Sequence, residues 1–180
     1  VSVPAAPEPD DKDWTWVAEK ACADCGFDPA GLRREDIARV LMAAGARWEA
    51  VLAGGDVRTR PAPAVWSPLE YACHCRDVCD LFTERTRLML DDDDPLFANW
   101  DQDVTALEKR YWEADPAVVS REITTAAGAA AEVFAGIRGA QWARTGRRSN
   151  GSVFTVESLG RYFVHDIVHH LHDVGAAPEG

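Results

Sequence analysis

The sequence predicts an all-α protein, a four-helix bundle with a longer connection after its second helix, on three observations. Apolar residues recur at helical spacing in four long segments. Cap and stop residues flank those segments. No alternating β-branched stretch lies between turn formers. A chain of 180 residues with 47% hydrophobic content is long enough to bury one core. Antiparallel helices around that core are the economical arrangement.

The elements follow in order. Residues 1–13 contain Pro4, Pro7 and Pro9 among polar residues and are expected to form a mobile lead-in. Residues 14–32 hold a CxxC pair and are expected to pack on the bundle, which spans 33–176 and leaves 177–180 as a tail. From about 35 to 52, Ile37, Val40, Leu41, Ala44, Trp48, Val51 and Leu52 keep helical spacing, and Gly54-Gly55 stops it. The stretch WSPLEY then offers Ser67 as cap, Pro68 at the first helical position and Glu70 for a capping box.

This second helix, to about Leu90, carries Tyr71, His74, Val78, Phe82, Arg85 and Leu88 or Met89 on one stripe, so His74 faces inward. The acidic run DDDDP would oppose the helix dipole inside a last turn and is expected to begin a loop. It lacks the ligand spacing of a calcium loop. A short helix is expected over 101–113. Asp115-Pro116 opens the third long helix, with Val119, Ile123, Ala126, Ala130, Val133 and Ile137 in alternating four-and-three spacing. Residues 144–152 read as a turn-rich connection, and Thr155 caps a last helix from Val156 to about Val174.

Charge and patterning exclude some functions. Thirty acidic and 19 basic residues give a formal charge of −11, which repels phosphate backbones and anionic lipid. Neither nucleic acid nor a membrane is expected as a partner. No apolar run approaches the roughly 20 residues that span a bilayer, and the opening lacks a signal-peptide pattern; a cytoplasmic location is the expectation. Five cysteines cannot form a complete disulfide framework, so reduced thiols are expected.

The stretch YFVHDIVHHLHDV carries four of the chain's five histidines. Histidines at i and i+4 project from one side of a helix and can share an ion, which selects His165 and His169. His172 continues their stripe, and His170, about 100° round the helix from His169, is left out. His74 is the histidine elsewhere in the sequence, and it points inward. If the second and last long helices are neighbours, His74, His165 and His169 make a three-nitrogen site with open coordination positions. A histidine-rich helix end with a hydrogen-bonded core His74 fits the same spacing.

Three segments together resemble the DinB family: CHCRDVCDLFTER around His74, the WxRxGxRSxGxxFTV pattern at 142–156, and HDIVHH, with the likeness running from about Trp48 to Val174. The resemblance implies a four-helix bundle with a divalent ion at His74, His165 and His169. Zinc is the first choice, with nickel or iron as alternatives. Relatives include metal-dependent thiol S-transferases and mycothiol-dependent isomerases, and are often dimers. The implied partners are a small-molecule thiol and an electrophile, and mycothiol, the thiol of actinobacteria, is the candidate co-substrate.

Three neutral imidazoles would leave a dication's charge undiminished, so a thiol entering an open position would become a bound thiolate at neutral pH. The same ion could activate water for ester or amide hydrolysis. A third reading is a non-enzymatic stress-response module that the ion only stiffens. No catalytic side chain beyond the ligands stands out. Asp77 and Asp166 lie where they could orient an imidazole. Trp66, Trp100 and Trp142 flank helix ends and could wall a pocket. Arg144, Arg147 and Arg148 form a local basic cluster, from which Arg147 and Arg148 could hold an acidic substrate.

Cys22 and Cys25 have the CxxCG form of a zinc knuckle whose second half is missing from the sequence. A redox role would want a thioredoxin-like pattern that is absent. Cys73, Cys75 and Cys79 read as small buried side chains of the second helix.

Overall fold

Three of the four long helices begin at a side chain that caps them. Ser67 accepts from the Glu70 amide and opens α2 (Pro68–Asp91), Asp115 accepts from Ala117 and opens α4 (Pro116–Gly136), and Thr155 accepts from Ser158 and opens α5 (Val156–Asp173). Each such cap contributes about 1 kcal/mol. With α1 (Ile37–Leu52) and the short α3 (Gln102–Glu108), these account for the α-helices of the computed structural model, which describes residues 14–176. The expected lead-in (1–13) and tail (177–180) lie outside the described residues.

The long helices form a four-helix bundle: α1 packs on α4, α4 on α2, α2 on α5, and α5 back on α1. On α4 the facing residues are small, with Ala126, Ala127, Ala130 and Ala131 buried. Gly45 of α1 meets them so closely that a Cβ there would lie 2.9 Å from that of Ala127. Phe82 of α2 stacks on Phe163 of α5 with ring centres 5.1 Å apart, and Phe134 of α4 closes the same layer at 6.2 Å from Phe163. On α2 burial extends well round the helix and includes Cys73, Cys75 and Cys79. Burial pushes the Cys73 thiol up to about 12 and Cys75 well above its ordinary value, so both are inert at neutral pH.

One local expectation is corrected and another is extended. The helix expected over 101–113 stops at Glu108, because Arg110 adopts a left-handed φ of 50°; a 3-10 turn at Tyr111–Glu113 then drives Tyr111 inward, where its hydroxyl donates to Asp77. The turn-rich connection expected over 144–152 also carries a hairpin, β1 (Thr145–Arg147) antiparallel to β2 (Val153–Thr155), with Gly146 opposite Phe154. Three-residue strands are too short for an alternating pattern to register in a sequence.

This hairpin positions the loop after α2. Arg144 donates to the carbonyls of Met89 and Asp92, placing a cation at the end of α2 beside the acidic run. The Phe97 amide donates to the Arg147 carbonyl at 2.8 Å, and the Arg147 amide to that of Pro95 at 2.8 Å. Arg85 of α2 holds the next stretch by donating to the Ala98 carbonyl at 3.2 Å. The loop is thereby laid along α2, and Trp100 ends over His74.

Candidate metal centre

The capping machinery of α2 also furnishes the surroundings of His74. Glu70 closes the capping box by accepting from the Ser67 amide at 2.9 Å and hydroxyl at 2.8 Å, and Arg60 clamps its carboxylate from the other side at 2.8 and 2.5 Å. Trp66, just before the cap, packs on Tyr71 in the first turns, a hydrophobic staple that fixes the entry of the chain. Trp66 thus lies 5.3 Å from the His74 ring, and Trp100 stacks on that ring at 5.6 Å. The sequence leaves pocket wall and core packing open for both, and both rings pack on His74.

Around His74 the structure gathers Asp166 and His170 of α5, and one ligand atom from each lies within 4.8 Å of the others. His74 Nε2 is 3.4 Å and His170 Nε2 is 3.8 Å from Asp166 Oδ1. His74 is only 1% exposed, yet beyond the 3.4 Å contact between them neither its ring nitrogens nor Asp166 Oδ1 has a hydrogen-bond partner. Leaving buried polar atoms unbonded costs about 1–3 kcal/mol each. A shared cation would satisfy these facing atoms together, so the residues fit a divalent ion.

His165 and His169 do not complete this group. They gather instead with Cys22 and Cys25, so the expected His74, His165, His169 triad is divided between two faces of α5. The physical reason is register. Asp166 and His170 have the same i, i+4 spacing as His165 and His169, and a one-residue shift turns a helix by about 100°. Only the packing of α5 decides which pair meets α2. Asp166, expected as an outer partner, is itself in the ligand group, and His170, excluded at the sequence level, joins it.

Electrostatics prepare the group for a cation. Burial lowers the His74 pKa, against the raising effect of Asp166, and keeps the ring neutral. Burial alone would raise Asp166, but His74 and the other imidazoles hold its carboxyl below the usual aspartate range. Asp173 sits 2.8 Å from His170 Nδ1, the arrangement in which an outer carboxylate accepts a hydrogen bond from the Nδ1–H of a metal-binding imidazole and leaves Nε2 free to coordinate. Asp173 was not singled out in the sequence. Its three-residue spacing from His170 was the available signal. A carboxylate and two imidazoles leave open positions on an ion, as in catalytic zinc and non-haem iron sites.

The remaining candidates are placed as follows. Asp77 accepts from Tyr111 and Arg76 and pairs with Lys109 at 2.9 Å, tying α2 to the turn after α3. Trp142 packs 6.3 Å from Phe134, with the Arg34 guanidinium over its ring, in the core between α4 and α5. Arg147 pairs with Asp94 at 3.0 Å. Arg148 interacts electrostatically with Tyr162, one turn before Asp166, and with Arg85. Arg85 is 5% exposed, lies over Phe82 and Phe97, and has no carboxylate within ion-pair distance among the described residues. Burial and the nearby Arg148 lower its pKa to about 10, which still leaves it charged at neutral pH.

No helix among the described residues is long and apolar enough to cross a membrane. No curated protein matches the chain. Among solved structures, YfiT from Bacillus subtilis, described as a probable metal-dependent hydrolase with an unusual four-helix bundle topology, is similar to it at a TM-score of 0.72. That likeness covers 83% of this chain and 91% of YfiT at 17% identity, and it shows the shared fold. The sequence pattern of the DinB superfamily matches residues 50–174, a span that contains α2, the hairpin and α5, and on this match the chain belongs to the DinB superfamily.

Proposed function

We propose that the protein is a metal-dependent enzyme that holds a divalent ion, zinc first, between His74, Asp166 and His170 and transfers a small-molecule thiol to an electrophile. The observation that carries the reading is the convergence of three donors from two helices within 4.8 Å, with buried ring nitrogens of His74 that have no well-aligned hydrogen-bond partner. A dication at such a site lowers the pKa of a thiol or water that joins it. The carboxylate of Asp166 reduces the net charge below that of an all-imidazole site and so moderates that acidification.

The protein's own groups divide the remaining work. Asp173 orients His170, and Trp66 and Trp100 keep bulk water from His74. Arg85 and Arg148, cationic and close to Tyr162, suit an anionic group on the thiol or the electrophile. Mycothiol is the thiol to try first. The hydrolytic reading is favoured by the description of YfiT and uses the same donors.

Turnover of an electrophile panel with and without added thiol, on wild type and His170→Ala, separates the readings. The proposal expects activity only with thiol, and its loss in His170→Ala. Ester or amide turnover without thiol would move the assignment to a hydrolase. Full activity in His170→Ala would end the site assignment.

A further inference from the structure

The second donor group on α5 is built for a different purpose. Cys22 and Cys25 lie in a tight loop closed on itself: the Cys22 amide donates to the Phe27 carbonyl at 2.8 Å and the Gly26 amide to the Cys22 carbonyl at 2.9 Å. Gly26 has φ +74°, a conformation that favours glycine at this turn. The loop delivers both cysteines to the face of α5 that carries His165 and His169. Cys22 Sγ is 3.7 Å from His169 Nδ1, and one donor from each of the four residues lies within 4.8 Å of the others. Bonds of about 2.0–2.3 Å to a tetrahedral ion place donors roughly 3.3–3.8 Å apart, so a contraction of no more than about 1.5 Å in any donor pair brings the group to that geometry.

We infer that Cys22, Cys25, His165 and His169 form a structural zinc site that fastens the segment before α1 to the last helix. The missing half of the zinc knuckle comes from α5. Two sulfurs and two nitrogens in a tetrahedral set select zinc among the common divalent ions. Zn2+ would displace the two thiol protons to solvent, and two thiolates with two neutral imidazoles balance its charge. All four positions are then filled by protein, so the site has no place for substrate.

Two further observations point to an ion rather than to simple packing. His165 is 4% exposed, and its Nε2 is buried without a hydrogen-bond partner. Trp14 lies 5.7 Å from His165 and 5.2 Å from His169, and Phe27 lies 5.6 Å from His165, so aromatic rings roof the group against water. The consequence reaches the other face. Pinning His165 and His169 sets the rotation of α5, and with it the direction of Asp166 and His170.

The test is Co2+ and Zn2+ loading of the full reduced chain, comparing wild type, a Cys22→Ser/Cys25→Ser double variant, and Asp166→Asn. Wild type should bind two equivalents of zinc and, with cobalt, show thiolate-to-metal charge-transfer absorption. The double cysteine variant should lose that absorption and one equivalent. Asp166→Asn should keep the absorption and lose the other equivalent. The inference does not depend on the proposed function: one equivalent with thiolate absorption in wild type would sink only the His74 site. A wild type without thiolate absorption, or a double variant that retains it, overturns the zinc knuckle. Should the double variant fail to fold, alkylation mapping of wild type decides. Zinc should shield Cys22 and Cys25 and a chelator should expose them, whereas equal labelling in both conditions overturns the site.

Discussion

On one face of α5, Asp166 and His170 meet a buried imidazole of α2; on the other, His165 and His169 meet two cysteines from the segment before α1. The residues are neighbours in sequence and their spacing is the same. Their partners differ in chemistry and in what they leave open. A carboxylate with two imidazoles suits an ion that also takes a substrate, whereas two thiols with two imidazoles suit one enclosed by protein. The contrast shows how one helix can present two donor groups: its period separates adjacent residues by about 100°, and each face is read by whatever packs against it.

The comparison can be broken at its shared support. Phe163, fully buried just before the donors on α5, packs on Phe82 and Phe134. Phe163→Ala should cost about 3–5 kcal/mol in urea unfolding and weaken cobalt binding on both faces together. Full affinity on one face with loss on the other would show that the faces are held separately.

A smaller effect should belong to the α2 side alone. Burial by itself would raise the Glu70 carboxyl, but Arg60 and the Ser67 amide and hydroxyl hold it below the usual glutamate range. A lowered folded-state pKa contributes stability that is complete above the unfolded value of about 4.3. That contribution is lost as pH falls through the folded value. Glu70→Gln should therefore cost about 1.5–3 kcal/mol at neutral pH and reduce the acid sensitivity of unfolding below about pH 4.3. An unchanged acid profile in this variant would remove the capping box as a source of that sensitivity.

The smallest effect is expected at Arg147. Its pair with Asp94 is half-exposed on both sides, and such pairs contribute about 0–1 kcal/mol. Arg147→Ala should change stability by less than about 1 kcal/mol and leave thiolate absorption and zinc content as in wild type. A loss of zinc on either face would place Arg147 nearer the centres than its ion pair does.

Much of the fold was legible because its signals are local. Ser67, Asp115 and Thr155 cap where the sequence predicts, and the inward side of α2 carries His74. Trp66 and Trp100 both pack on that histidine. The hairpin at 145–155 was too short to leave a pattern, and the left-handed Arg110 has no side-chain signature that foretells it. Helix geometry keeps His170 off the stripe of His165 and His169, but it does not say which face meets α2.

The sequence by itself determined the bundle, the presence of donor pairs one turn apart in HDIVHH, and a cysteine pair with half a knuckle's spacing, because periodicity, caps and turns act over a few residues. Only the tertiary structure decided that His74 meets Asp166 and His170 while the cysteines meet His165 and His169. That choice depends on the rotation of one helix about its axis, which long-range packing sets and a pattern of spacings cannot express.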